Sequence, residues 1–449
     1  MADTNTGSFQ SEQLARLQSV SGLQWLADIN RAGAEAFAAA AWPTRKTEAW
    51  KYCSLRALND NSHSAPAPVA AVAQNDVQQA ASVAGLDAAR LVLVNGQVNT
   101  ALSDALALQQ VTLFSQADAA QQDLILTHLG QTGHAHPSQH LFNQLNAAAL
   151  NEGVLVHVGR NSRLEKPLQL VSLTTTAEQA FSVEQRVLVV LETGAELTLI
   201  EQFASLDSNS ADQSFTNNLT ELVIGDNARL THYRLNLMQE AAVFVGSSQV
   251  NLKRDANYQG FHLGLGSQMT RNDILVRHTA GGSHCEMSGV YVPQGSQIID
   301  FHTSIEHEVP HCTSNEVFRG IINDQARAAF NGRIHIHPKA QKTLAELSNK
   351  NLLLTNKAEI NTKPELEIYA DDVKCAHGAT VAQLDDKARF YLQSRGISEQ
   401  EAQVMLSFGF INELLDALPH EAIGHWLRPL LAQRFGRPQA FDEDLVETV

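Results

Sequence analysis

"VGRNSRL" (158–164), "LETGAEL" (191–197) and "IGDNARL" (224–230) are three renderings of one turn, and their closing leucines, Leu164, Leu197 and Leu230, stand 33 residues apart. A fixed period of that length marks one structural unit stacked on itself. Ankyrin units share the length, but these lack two helical patterns and the T-P-L-H signature. The runs between the turns are instead rich in Val, Ile, Leu and Thr, punctuated by Gly, Asn and Asp. The expectation is a mainly β fold, a parallel β-helix (solenoid) over 151–382, with the three leucines stacked inside successive coils.

Outward from that core the texture changes on both sides. Residues 1–150 read as a mostly helical region. Residues 11 to about 41 read as helical, with Leu14, Leu17, Leu23, Leu26 and Ile29 at helical spacings before an alanine-rich run that Pro43 ends. The low-complexity stretch 60–82 reads as a flexible linker. "LVLVNGQVNTAL" reads as a hairpin turning on Asn95-Gly96, and a further helix is expected at about 138–150. Beyond 383 the helical period returns in a C-terminal helical domain, 383–449. There Ser398 is a candidate N-cap three residues before Glu401. Val404, Phe408, Ile411, Leu415 and Leu418 form one apolar stripe, which can serve internal packing, a docking face for another chain, or both. The closing FDEDLVETV is acidic and expected to fray.

The chain of 449 residues carries 32 Lys plus Arg against 48 Asp plus Glu, a net charge of −16. Such a balance repels phosphate backbones and anionic lipid, so neither nucleic acid nor membrane is an expected partner. Cysteines 53, 285, 312 and 375 show no CxxC pairing. With a polar start (MADTNTGSFQSEQ) and no long apolar run, the sequence reads as cytoplasmic with reduced thiols.

Several motifs test for chemistry. "HEVPH" (307–311) matches the zinc-protease string, but Pro310 sits inside the helix that motif requires, and the flanks alternate like strands. "HEAIGH" (420–425) has the wrong spacing. "GFHLGLGSQ" (260–268) lacks the Gly-Lys-Ser/Thr of a phosphate loop, so no ATP site is expected. "RIHIHP" (333–338) sets His335 and His337 on one face of a strand, as in cupin-like metal enzymes, but without a clear Glu at cupin spacing. "DDVKCAHGATV" (371–381) sets Cys375 and His377 two apart, on one face if the backbone is extended. Two ligands cannot hold iron or a cluster, which wants about four. Taken alone, the pair reads as structural unless a second chain completes it.

Four stretches together resemble the SufB/SufD family of iron–sulfur cluster assembly proteins: "PTRKTEAWKY" (43–52), the long run 297–354, "TKPELEIYADDVKCAHGATV" (362–381) and "FYLQSRGISEQEA" (390–402). Two details resemble the SufD branch. Residues 390–396 hold leucine where SufB members carry a cysteine, and 374–379 reads Lys-Cys-Ala-His-Gly-Ala where SufB has a Glu-His-Glu-Ala-like sequence. The resemblance implies a non-enzymatic scaffold subunit of a SufBCD complex. It would pair with SufB through the β-helix and bind the SufC ATPase through the C-terminal helices, with a homodimer possible in isolation. It also implies that iron or a nascent cluster sits transiently at the SufB interface, with His377 as a metal ligand and Cys375 beside it. No cofactor would be bound stably by the isolated chain. The rival reading is a stand-alone metal-dependent enzyme on a β-helix or cupin-like scaffold.

Overall fold

Each of the three quoted turns places a residue of positive φ at its fourth position: Asn161 (54°), Gly194 (70°) and Asn227 (55°). Glycine adopts that left-handed conformation freely and asparagine tolerates it, which explains the residue types found there. The turns stack directly. The amide of Asn161 donates to the carbonyl of Thr193 at 2.9 Å, and those of Gly194 and Asn227 donate to Asp226 and Arg254 at 2.8 Å. The stack continues through positive-φ residues Asp255, Gly282, His311 and Lys342, so the later coils are only 27 to 31 residues long. That change of length hides them from a search at fixed period.

The computed structural model describes residues 8–18, 22–61, 63–133, 141–206 and 213–436. It is a parallel β-solenoid of about 7 turns with helices at both termini. Successive strands alternate between two sheets. A ten-stranded sheet ends on Lys374–Gln383, and a nine-stranded sheet ends on Glu359–Ile368. Leu197 and Leu230 are register partners buried in the core, and Leu164 packs on it half-buried. Their column runs on through Tyr258, Cys285, Ser314 and Ala345 to Cys375.

The N-terminal region closes the first coil and covers one face. Ala89–Val94 pairs parallel with Leu168–Thr174. The expected hairpin is present, with Asn95 at φ 48° and Gly96 at 84° joining Val94 to Gln97. The helical stretch expected over 11–41 is built as two helices, Ser8–Leu17 and Ala27–Ala39, with a short 3-10 turn before the second. The expected linker 60–82 carries a helix, Gln74–Ala81. Its Val77 and Ala81 pack on Val92 and Val171, and the Gln169 and Gln202 side chains donate to the carbonyls of Ala81 and Ala80. Low complexity here is a small-residue contact face. The later helix spans Leu141–Ala148; its expected start at 138–140 and the acidic FDEDLVETV lie outside the described residues. Phe9, Phe37, Trp50 and Phe142 form a layer over Phe215, Val243 and Val245 on the outside of the nine-stranded sheet.

The C-terminal helices Asp386–Ser394, Glu399–Asp416 and Glu421–Arg434 lie on the other side. The Ser398 hydroxyl accepts the amide of Glu401 at 3.1 Å, as an N-cap should. The apolar stripe is consumed internally. Val404, Phe408, Ile411, Leu415 and Leu418 are buried against Leu263, Val290, Ile321 and Leu352 of the ten-stranded sheet, so a docking role for that stripe is excluded. No helix among the described residues is long and apolar enough to cross a membrane.

The solenoid interior is not uniformly apolar. Glu201 is fully buried, which pushes its pKa up, but Arg234, His232 and Thr220 outweigh this and hold it at about 2. Glu316 has no such compensation. Neither of its oxygens has a hydrogen-bond partner of normal geometry, and burial pushes its pKa up to about 8, offset only in part by the nearby Thr303 hydroxyl. Native Glu316 therefore keeps its proton up to about pH 8, whereas the unfolded chain loses it near 4.5. Stability falls as pH rises between those values, by about 3 kcal/mol at pH 7. Glu316→Gln is expected to be more stable than the parent at pH 7 and to flatten denaturation midpoints between pH 5 and 8. An unchanged slope would show that Glu316 is not the group responsible.

Candidate functional site

The last coil is open. Lys374–Gln383 is paired only with Leu344–Leu353, and Glu359–Ile368 only with Arg327–Ile336; no described strand lies beyond either. Two ten-residue strands thus end the sheets with unpaired backbone groups, a configuration proteins normally cover. Residues of Lys374–Gln383 are mostly exposed.

Cys375 and His377 sit on this edge strand, two residues apart and therefore on one face. They continue inward-facing columns. Cys375 stands in register with Ala345, and His377 with Leu347, which itself follows Glu316 and Met287. Cys375 is half-buried on the end of the core, and burial pushes its thiol pKa up. His377 is exposed, at the mouth of a column that earlier coils fill. The pair is not part of any described group of three or more potential ligands. The two lie together, and no third donor of that kind joins them among the described residues.

The other motifs resolve differently. In "HEVPH", His307 is buried, stacked on His278 at 4.4 Å with its Nε2 2.9 Å from the Ser314 hydroxyl. His311 lies on the coil turn with φ 63°, so the two histidines never share a helical face. His420 of "HEAIGH" precedes the last helix, and its amide donates to the Tyr233 hydroxyl at 3.1 Å. "GFHLGLGSQ" is strand Asn257–Gly264 followed by a turn, not a strand-to-helix phosphate loop.

"RIHIHP" gains a partner that sequence reasoning missed. Glu306 is in register with His335 on the neighbouring coil. Its Oε2 lies 2.7 Å from His335 Nδ1 and 3.0 Å from His337 Nε2. The signal lay in "SIEHEV", but reading it needs the 29-residue offset of this coil rather than a spacing within one segment.

On the C-terminal side, helix Asp386–Ser394 buries none of its residues. Phe390 and Tyr391 are 71% and 55% exposed, and Arg395 lies 4.6 Å over the Tyr391 ring. Large exposed aromatics side by side are unusual on a surface without a partner.

Two family models match the chain: "SUF system FeS cluster assembly, SufBD core domain" over residues 173–410, and "SufBD protein N-terminal region" over 10–170. An iron–sulfur cluster assembly SufBD family protein of Synechocystis sp. is 30% identical over 403 residues, 87% of each chain. The iron–sulfur cluster assembly protein SufD of Escherichia coli is 33% identical over 87% of this chain and 89% of its own. SufD of Bacillus subtilis is 30% identical over 64% of each.

Proposed function

Since the chain belongs to the SufBD family of the SUF iron–sulfur cluster assembly system, we propose that it is the non-catalytic, SufD-type scaffold subunit of a cytoplasmic SufBCD complex. The observation that carries this reading is the open last coil. Its two terminal edge strands call for a partner of the same architecture, and a SufB solenoid supplies matching edges for strand addition. His377 and Cys375 then lie at the seam, where donors from SufB complete a site for iron or a nascent cluster. The iron is cargo. It is held in the complex and not by the isolated chain, which is free to pair with a second copy when SufB is absent.

SufC docks on the C-terminal helical region, and the exposed aromatics of helix Asp386–Ser394 are its anchors. The internal stripe is unavailable for that role. Co-expression with SufB and SufC tests both contacts together. The parent chain is expected to co-purify with both. Phe390→Asp/Tyr391→Asp is expected to lose SufC, by at least tenfold in affinity, and to keep SufB, because these side chains are mostly exposed and belong to no buried core. Retention of SufC by the double variant contradicts the assigned surface. Failure of the parent chain to capture SufB contradicts the scaffold reading.

A further inference from the structure

We propose that Glu306, His335 and His337 form a binding site for a first-row divalent cation on the outer face of the nine-stranded sheet. The site does not depend on the scaffold reading. Coil stacking builds it: Glu306 closes one coil, and His335 lies opposite it on the next, 29 residues later. Along the second strand Ala328, Phe330, Ile334 and Ile336 are buried in the core, so the alternate residues Arg333 and His335, and His337 beyond the strand end, face outward. The three donor atoms lie within 4.8 Å of one another.

The carboxylate is already oriented. Glu306 Oε1 is engaged by the Arg333 guanidinium and by the Ser304 hydroxyl at 3.2 Å, which aims Oε2 at the two rings. Arg333 also pairs with Glu367 at 2.8 Å, so Glu306, Glu367 and Arg333 together leave one net negative charge beside the rings. A tetrahedral cation with bonds of about 2.0–2.1 Å wants its ligand atoms ~3.3 Å apart. Separations of 2.7 and 3.0 Å reach that by spreading about 0.6 and 0.3 Å.

Binding needs both imidazoles neutral, with the lone pairs of His335 Nδ1 and His337 Nε2 directed at the cation and the protons on the opposite nitrogens. No electron changes hands. Two imidazole nitrogens and one carboxylate oxygen suit Zn²⁺, Fe²⁺ or Co²⁺ better than Mg²⁺ or Ca²⁺. The His335 and His337 side chains are 19% and 37% exposed, so solvent or a further ligand can fill the open positions. Tyr369 packs edge-on against His335 at 5.5 Å and forms one wall.

Titrating the purified full-length chain with Co²⁺ tests the proposal through the visible d–d bands. The parent is expected to bind one tight equivalent. His335→Gln/His337→Gln and Glu306→Gln are expected to weaken it at least tenfold, and Cys375→Ala/His377→Ala to leave it unchanged. If Glu306→Gln fails to fold because Arg333 loses one of its two carboxylate partners, His337→Gln alone, at a half-exposed strand end, still carries the test. A tight equivalent indifferent to His337→Gln, or lost only with Cys375 and His377, overturns the site. So does the absence of any tight equivalent, which would make these residues an ion-pair network only.

Discussion

Replacing Arg271 with methionine is expected to destabilise the docked N-terminal region by about 4 kcal/mol at pH 7, the cost of leaving buried carboxylates without their cation. Arg271 is only 1% exposed. Its guanidinium binds Asp273 at 2.8–2.9 Å and Asp300 at 2.6 Å, donates to the carbonyl of Ala49 at 2.6 Å, and lies 4.4 Å over the Trp50 ring. The motif "PTRKTEAWKY" is thus fastened to the solenoid through a residue more than two hundred positions away. Burial pushes Asp300 up, but Arg271 and His302 hold its pKa below the usual value. In the parent this contributes stability above the unfolded carboxylate pKa that is lost as pH falls through the lower native one. Without Arg271, burial and the neighbouring Asp273 charge are opposed only by His302, and protonation relieves the penalty. The deficit of Arg271→Met should therefore be larger at pH 7 than at pH 4.5. Hydrogen exchange across residues 43–53 reads it directly, as protection lost in that segment before the later coils open. A deficit below about 1 kcal/mol, equal at both pH values, would contradict the role given to this cluster.

What was legible in the sequence follows from how narrowly physics restricts each feature. A left-handed turn position admits few residue types, so Asn161, Gly194 and Asn227 betrayed the period, and the Asn95-Gly96 hairpin betrayed itself in the same way. The later coils escaped because Asp255, His311 and Lys342 occupy that position at shorter and unequal spacings. The apolar stripe at 404–418 was legible as a stripe, but its destination was not, since periodicity does not say what covers a face. The pair Cys375 and His377 was visible as a strand motif, whereas its place at the end of two interior columns required the register of the coils. Glu306 was invisible as a ligand for the same reason. Stacking joins residues a coil apart, and the coil length is fixed by the turns rather than by any local pattern.

The second large effect falls on His377. In the assembled complex His377→Ala should reduce cluster formation at least tenfold while leaving the complex intact. The exposed imidazole adds little to packing within its own chain, and a site that wants about four ligands tolerates the loss of one poorly. Cys375→Ala should cost less. Its side chain is half-buried on the core, and burial pushes its thiol pKa up, which disfavours the thiolate that binds metal. Imidazole donors would also suit the proposed site, whose iron is cargo to be released, being borderline rather than soft ligands. The most direct measurement is cluster content, by iron and sulfide analysis and visible absorption, in complexes co-expressed with SufB and SufC and checked for subunit stoichiometry. His377→Ala is expected to give an intact, cluster-poor complex. A full cluster complement in an intact complex, or a complex that falls apart, would contradict the assignment of His377 as a ligand at the seam.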